Sequence, residues 1–240
     1  MKITQYEIKA KIPSDLKFVF VSDLHGYENE PIFNEISKQN PDGVLIPGDV
    51  IHDDKNYKRG IEFLRLCGKS YPTFMSLGNH ETKFSGDIVS LIRETGINLL
   101  ENTYTEFKGI LIGGLSTGYI QGMEQGRFKK TPPPSLGWMD SFENEQGYKI
   151  LLSHHPEYYP IYLKERRVDL ILSGHAHGGQ WRFFGKGVFA PGQGAFPKYT
   201  SGFYDGKLIV SRGLGNPHMI PRINNKPEFI ILKIKGEGKI

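Results

Sequence analysis

Residues 168–180 read V-D-L-I-L-S-G-H-A-H-G-G-Q, an apolar run that ends at Ser173 and Gly174 and is followed by two histidines among glycines. The run is too short and too rich in β-forming residues for a helix, which predicts a buried strand covered on both faces. The imidazoles of His175 and His177, two residues apart in irregular backbone, can reach two different metal ions, and the glycines let the backbone approach closely. The stretch therefore predicts a strand that ends at a metal site.

Four other apolar runs of β-forming residues end in the same manner, each followed by side chains that bind metal ions. In chain order these side chains are Asp23 and His25, Asp49, Asn79 and His80, and His154. Each of them alone is compatible with a capping aspartate or a hydrogen-bonded histidine. Five of the eight histidines stand at such strand ends, however, which packing histidines would not produce. Because neighbouring strands of a sheet built from β-α units open onto one crevice, we expect these side chains to meet in space.

The segments between these runs alternate between helical and extended patterns in the first part of the chain. Apolar residues at helical spacing predict helices over residues 30–38, 57–67 and 87–94. Short runs then follow one another between residues 98 and 113 without a helix, which predicts a turn into a second sheet. Beyond residue 180, short runs separated by glycines predict antiparallel strands.

Residues 117–147 are the least patterned part of the chain and contain Lys129, Lys130 and three consecutive prolines. Such a segment is either a cap or rim over the site or a plain surface excursion. No linker rich in proline, serine or glycine divides the sequence, so we expect a single domain over residues 1–240.

The composition excludes several classes of protein. The net charge of +4 comes from dispersed lysines and arginines, so no stripe for nucleic acid is evident, while a small anionic substrate needs no more. The only cysteine, Cys67, lies in an apolar helical pattern and cannot form an intramolecular disulfide. No window approaches the ~18 apolar residues of a membrane span, and the first residues lack a signal-peptide core. We therefore expect a cytoplasmic protein.

The predicted ligands combine carboxylate, amide oxygen and imidazole without thiolate, a set that suits manganese, iron or zinc. They exceed what one ion with open positions takes from protein, so two ions are expected, and a carboxylate can bridge them. In two-metal sites with ions ~3.5–4 Å apart, the shared water loses a proton near neutral pH and the ions clamp the attacking and leaving oxygens at phosphorus. The ligand set therefore predicts hydrolysis of a phosphate ester.

The order of these motifs resembles that of the calcineurin-like metallophosphoesterases. The matching motifs are D-L-H at 23–25, G-D at 48–49, G-N-H-E at 78–81, S-H at 153–154 and G-H-A-H at 174–177. The resemblance implies an α/β fold, a four-layer α/β/β/α sandwich with two mixed β-sheets. It also implies that one metal takes Asp23, His25 and His177, that the other takes Asn79, His154 and His175, and that Asp49 bridges them. His80 would then be the catalytic general acid instead of a ligand.

Longer stretches resemble a narrower, bacterial branch of this family. The stretches G-H-A-H-G-G-Q at 174–180, S-R-G-L-G at 211–215 and R-I-N-N-K-P-E at 222–228 look like those of membrane-associated or exported phosphodiesterases, some similar to lipid-precursor hydrolases. This resemblance implies a lipid headgroup or a peripheral membrane surface as a partner. The exported branch usually begins with a membrane or signal segment that this sequence lacks, so the localisation is not carried over.

One position departs from the family pattern. Many members carry a second aspartate three residues after the bridging one, where it orients the acid histidine, and this chain has His52 there. Either Asp53 or Asp54 substitutes for that aspartate, or His80 is held by another group.

Two basic residues are candidates for contacting the substrate. Arg182 either reaches a phosphoryl oxygen or caps the strand on which it lies. Lys130 meets an anionic headgroup if residues 117–147 fold over the cleft, and is otherwise a solvated surface lysine. His155 and His218 carry no spacing argument and are interpreted as structural.

Together these features predict a dinuclear, metal-dependent phosphoesterase whose substrate is a small anionic phosphoester. A phosphodiester is favoured over a monoester or a pyrophosphate. A non-catalytic, partner-binding scaffold on the same fold is the first alternative, but such a protein would be expected to lose ligands that are all present here. A nuclease is the second alternative, and it would need a basic groove that the dispersed charge does not support. The sequence leaves the oligomeric state open.

Overall fold

The computed structural model describes residues 1–27, 29–53, 57–118, 131–216 and 221–238. The strands in chain order are β1 Lys2–Ala10, β2 Leu16–Phe20, β3 Gly43–Ile46, β4 Thr73–Met75, β5 Asn98–Leu99, β6 Thr103–Phe107, β7 Ile110–Leu115, β8 Tyr148–Ser153, β9 Leu170–Ser173, β10 Arg182–Phe183, β11 Lys186–Gly187, β12 Phe189–Ala190, β13 Gly194–Ala195, β14 Gly202–Tyr204, β15 Leu208–Val210 and β16 Glu228–Gly236. The α-helices are α1 Asn29–Gln39, α2 Tyr57–Ser70, α3 Ile88–Arg93 and α4 Met139–Asn144. Short helical turns occupy Glu81–Lys83, Tyr159–Leu163 and His177–Gly179.

Two six-stranded mixed sheets form the centre of the described chain. The order in the first is β1-β16-β2-β3-β4-β5, with β2 to β5 parallel and β16 antiparallel to β2 but parallel to β1. The order in the second is β14-β15-β9-β8-β7-β6, with the four inner strands parallel and an antiparallel strand at each edge. The predicted ligands follow β2, β3 and β4 of the first sheet and β8 and β9 of the second.

Alternation of side chains along the strands creates four layers. In β2, Phe18 and Phe20 pack between the two sheets, whereas Val19 packs with apolar residues of α1, α2 and α3. In β8, Ile150 packs between the sheets and Leu151 packs with α4 on the outer face. Because successive strand residues point to opposite faces, each apolar strand can contribute to two of the three interfaces. The predicted α/β/β/α sandwich with two mixed sheets is confirmed.

The observed elements match the predicted ones closely until the last part of the chain. The three predicted helices correspond to α1, α2 and α3, and the change to the second sheet falls between β5 and β6. The antiparallel prediction beyond residue 180 is only partly right, because β15 pairs with β9 in parallel and β16 pairs with β1 in parallel. The direction of these strands depends on partners distant in sequence, which a local pattern does not encode.

The segment predicted as a cap is described only in part. Residues 119–130, which include the candidate Lys130, lie outside the described residues. In the same segment, α4 buries Met139 and Phe142 against the second sheet and so belongs to the outer helical layer. A cap over the site and a single domain over residues 1–240 stay predictions.

Helix length also bears on membrane insertion. Among the described residues, no helix combines the length and the apolar character that crossing a membrane requires.

Candidate metal centre

The backbone turns sharply at the strand ends that carry the predicted ligands. Left-handed φ angles occur at Asp23 (52°), His25 (50°), Asp49 (55°), His175 (62°) and His177 (45°). Residues other than glycine seldom adopt this conformation, although aspartate and histidine tolerate it better than most, and it concentrates at functional sites. These turns direct side chains from both sheets into one crevice.

Asp23, His25 and His177 form a first cluster of buried donor atoms, which all lie within 4.8 Å of one another. His177 Nε2 is 3.7 Å from Asp23 Oδ1, and His25 Nε2 is 4.0 Å from the same oxygen. The backbone N–H of His175 donates a 2.9 Å hydrogen bond to Asp23 Oδ1, which joins the ends of β2 and β9. A Cβ on Gly174 would lie 2.3 Å from Asp23 Oδ2, so this approach of the two sheets requires glycine.

Asp49, His154 and His175 form a second buried cluster with the same 4.8 Å limit between donor atoms. His154 Nε2 lies 3.1 Å from Asp49 Oδ2, and His154 Nδ1 lies 3.1 Å from the carbonyl oxygen of Pro47. Because a carbonyl only accepts, Nδ1 carries a hydrogen and Nε2 is the atom available to a metal. Asp49 Oδ2 is also 3.9 Å from His25 Nε2, so one carboxylate oxygen faces both clusters.

Several buried donor atoms of this centre have no hydrogen-bond partner within the described residues. They are Asp23 Oδ2, both ring nitrogens of His25, and Asn79 Oδ1. Buried polar atoms are nearly always paired, because an unpaired one costs ~1–3 kcal/mol. Carboxylate, imidazole and amide oxygen are ligands of manganese, iron and zinc. The residues present therefore fit bound transition-metal ions.

Burial controls the protonation of the histidines in the centre. It lowers the pKa of His25 and of His175 well below the usual value, so both rings are neutral at pH 7 and can bind metal. Burial acts in the same direction on His154, but the carboxylates of Asp49, Asp23 and Glu81 outweigh it and raise the pKa of His154 to about 9. A metal ion in the second cluster must displace that proton, so its affinity should rise as the pH approaches this value.

His80 lies beside the second cluster and is held by backbone groups. Its backbone N–H donates a 2.9 Å hydrogen bond to Asp49 Oδ1, and its ring Nε2 is 3.9 Å from Asp49 Oδ2. Its Nδ1 contacts the backbone carbonyl oxygen of His52, which can only accept a hydrogen bond. A backbone carbonyl thus orients the ring where many family members use an aspartate. Asp53 lies instead 3.9 Å from the side chain of His52, and Asp54 is outside the described residues.

Glu81 is a residue of the centre that the sequence reasoning did not assign. Its buried carboxylate accepts four backbone hydrogen bonds, from the N–H groups of Asp49 (2.9 Å), Val50 (2.8 Å), Ile51 (3.1 Å) and Gly78 (2.9 Å). It therefore joins the turn after β3, which carries Asp49, to the turn after β4, which carries Asn79 and His80. The sequence signal that could have indicated this role is the position of the glutamate directly after G-N-H.

We expect Glu81→Gln to lower metal affinity about 10–100-fold, the range for residues that orient metal ligands. The amide presents a hydrogen donor to backbone N–H groups, so the free energy of unfolding should also fall by ~1–3 kcal/mol. Metal titration and thermal unfolding would measure both changes, with Glu62→Gln on the exposed face of α2 as the matched control. Unchanged metal affinity would show that this carboxylate does not position the ligands.

Residues of the C-terminal stretch 222–228 also support the centre. The resemblance of this stretch to a bacterial branch of the family did not indicate that role. Arg222 Nη2 lies 3.2 Å from His177 Nδ1, and Arg222 Nη1 donates a 2.8 Å hydrogen bond to the carbonyl of Arg212. Asn225 Nδ2 donates to the carbonyl oxygens of His177 (2.7 Å) and Gln180 (3.1 Å). These contacts hold the turn that carries His177 against the end of the first sheet.

Two further predicted residues have defined surroundings. His155, interpreted as structural, is buried, and its Nδ1 lies 3.1 Å from Glu157 Oε1. The guanidinium of Arg182 donates to the carbonyl oxygens of Gly178 (2.7 Å) and Gly185 and to the Thr200 hydroxyl (3.2 Å). Arg182 is 8% exposed, so its contacts favour the structural alternative over contact with a phosphoryl oxygen. His218, like Lys130, is outside the described residues.

Comparison with known proteins places this arrangement in a family. An uncharacterized metallophosphoesterase of Campylobacter jejuni is 32% identical over 247 residues, which cover 96% of this chain but only 63% of that relative. The phosphodiesterase YaeI of Escherichia coli is 28% identical over 241 residues, covering 91% of this chain and 82% of the relative. The chain thus spans less than two thirds of the first relative and most of the second.

A solved structure has a similar fold. The phosphopantetheinyl hydrolase of Mycobacterium tuberculosis superposes with a TM-score of 0.51 at 14% identity, over 87% of this chain and 91% of that one. The profile of the calcineurin-like phosphoesterases matches residues 16–179, which carry every predicted ligand. This chain belongs to the calcineurin-like phosphoesterase family.

Proposed function

We propose that the chain is a dinuclear, metal-dependent phosphoesterase that hydrolyses a small anionic phosphoester, a phosphodiester in preference to a monoester or a pyrophosphate. The observation that carries the proposal is the pair of buried donor clusters with an oxygen of Asp49 facing both. The Escherichia coli relative, named a phosphodiesterase, supports the preference for a diester. A lipid headgroup is one substrate of this class, and a cytoplasmic location remains part of the proposal.

The two clusters support the ligand roles that the family resemblance implies. Asp23, His25 and His177 would hold one ion, Asn79, His154 and His175 the other, and Asp49 would bridge them. Two manganese, iron or zinc ions held here would activate water and neutralise charge at phosphorus. The left-handed turns and the hydrogen bonds to Glu81 hold the donors in place in advance, so little reorganisation is needed when charge develops.

His80 is the group that would protonate the leaving oxygen. Since its Nδ1 hydrogen is held by the His52 carbonyl, the transferable proton resides on Nε2, which faces Asp49 Oδ2. The side chain is 25% exposed, unlike the buried ligands, so a substrate arriving from solvent can reach it. Histidine is the side chain suited to proton transfer near neutral pH.

Turnover of two chromogenic esters by manganese-loaded protein would test the proposal. We expect bis(p-nitrophenyl) phosphate to be hydrolysed faster than p-nitrophenyl phosphate, with two metal ions bound per chain. Absence of turnover of any phosphoester by metal-loaded protein would reject the proposed activity. Absence of bound transition metal after loading would instead favour the non-catalytic scaffold.

A further inference from the structure

Exposed apolar side chains gather on a surface formed mainly by residues that follow the predicted ligand His177 in the sequence. We call them the aromatic rim, and its members with their exposed fractions are Trp181 (38%), Phe183 (50%), Phe184 (103%), Phe196 (82%) and Ile223 (40%). Apolar side chains exposed singly are ordinary, but a contiguous group beside a functional site marks an interaction surface. The rim is therefore a candidate interaction surface.

The backbone places these side chains together. Trp181, directly before β10, and Phe183, on β10, alternate with the buried Arg182, so they share the outward face. Phe184 stands at the tip of the β10–β11 hairpin with a left-handed φ of 50°, and Ile223 pairs with Trp181 across a β-bridge.

Phe196 lies next to the same hairpin. It shares one surface depression with Gly185, Lys186 and Lys198. Its backbone N–H donates a 2.8 Å hydrogen bond to the carbonyl of Val188, which follows β11 directly. The rim is therefore built from three segments of the chain that backbone bonds and shared depressions bring next to one another.

The rim is fixed to the metal centre by short connections. Arg182 donates to the carbonyl of Gly178, and the N–H of Val188 donates a 3.1 Å hydrogen bond to the carbonyl of Gly179. Both glycines belong to the helical turn His177–Gly179, which begins at a predicted metal ligand. A partner bound at the rim would thus lie beside the crevice of the donor clusters.

The rim lies in the most basic part of the sequence. Between residues 170 and 227 the only acidic residue is Asp205, and the basic residues are Arg182, Lys186, Lys198, Lys207, Arg212, Arg222 and Lys226. The whole chain carries a net charge of only +4, so the remainder is slightly acidic. The excess arises from missing carboxylates instead of a dense run of lysines. Arg182, Arg212 and Arg222 are bonded within the protein, so the charge presented beside the rim comes from the exposed Lys186 and Lys198, which line one depression with Phe196. Their charge favours a partner that is anionic as well as apolar.

We propose that the aromatic rim docks the chain on the surface of an anionic lipid bilayer. Phenylalanine and tryptophan side chains that project from a hairpin tip insert at the level of the acyl chains, while neighbouring lysines remain with the acidic headgroups. A nucleic acid would satisfy the charges but offers no apolar layer for a projecting tip. This docking rests on the proposed function where it presents headgroup phosphoesters to the metal centre.

Co-sedimentation of the full chain with vesicles would test the docking. We expect binding to vesicles of equal parts phosphatidylcholine and phosphatidylglycerol, and at least tenfold weaker binding to pure phosphatidylcholine. The double variant Phe183→Ser/Phe184→Ser should lose about tenfold or more of the binding, since each buried aromatic contributes strongly to transfer from water. Ile161→Ser, which removes an exposed apolar side chain of the turn Tyr159–Leu163 that is not part of the rim, is the matched control and should bind as the unchanged chain does.

Other measurements separate docking from catalysis and from nucleic-acid binding. Turnover of bis(p-nitrophenyl) phosphate in solution should be the same in the double variant, because Phe183 and Phe184 are outside the donor clusters. Vesicle binding by a chain that hydrolyses nothing would uphold docking while the proposed function fails. Three results would each overturn the proposal. The chain could fail to bind the acidic vesicles, the double variant could retain full binding, or single-stranded DNA could displace the chain from the vesicles.

Discussion

Asp49→Asn is expected to lower the turnover of a phosphodiester by about 10³-fold or more, the equivalent of ~4 kcal/mol of transition-state stabilisation. Asp49 is the residue whose oxygen faces both donor clusters, at 3.1 Å from His154 Nε2 and 3.9 Å from His25 Nε2. An amide replaces one oxygen by an NH₂ group, which cannot bind a metal and carries no charge. Loss of the charged oxygen should therefore weaken the binding of both metal ions together.

Steady-state kinetics with metal analysis of the same sample would measure this effect. The matched control is Asp140→Asn, because Asp140 is a largely exposed aspartate of α4 that pairs with Arg166. We expect the control to keep its metal and its turnover, since exposed ion pairs contribute ~0–1 kcal/mol. Full activity of Asp49→Asn would remove the shared carboxylate from the mechanism and with it the dinuclear centre.

His80→Ala is expected to lower the rate about 10²–10⁴-fold, the range for loss of general acid–base help, while both metal ions stay bound. The reason is positional: His80 Nε2 faces Asp49 Oδ2, but the ring is one-quarter exposed and is oriented by a backbone carbonyl. Alanine keeps the backbone N–H that donates to Asp49 Oδ1, so the carboxylate should keep its position. The rate with a leaving group of low pKa should fall less than the rate with a poor one.

His52→Ala is the matched control for that variant. It removes a neighbouring ring, stacked on His80 at 5.1 Å between centroids, but leaves the carbonyl that orients His80. We expect a change in rate of less than about tenfold, because no group of the proposed chemistry is lost. Loss of metal from His80→Ala would identify His80 as a ligand, and a large loss of rate in His52→Ala would mean that the His52 side chain takes part.

Much of the fold could be predicted because its helices and strands correspond to short patterns in the sequence. The apolar runs before Asp23, Asp49 and His154 are strands, since three or four consecutive apolar residues suit a sheet covered on both faces. The helix α3 has a local signal too, with Asp87 accepting a hydrogen bond from the N–H of Ser90 at its start. The polarity of β15 and β16 had no such signal, because their partners β9 and β1 are distant in the chain.

The sequence alone determined which residues are predicted as metal ligands, because a polar residue within a few positions of the end of a buried strand is a local feature. Only the tertiary structure decided that an oxygen of Asp49 faces both clusters, that Glu81 joins two turns, and that the His52 carbonyl orients His80. The same holds for the aromatic rim, whose members come from three separate segments. These features depend on how the two sheets pack and on the distances between turns. Packing across the whole core sets those distances, and no short stretch of residues does.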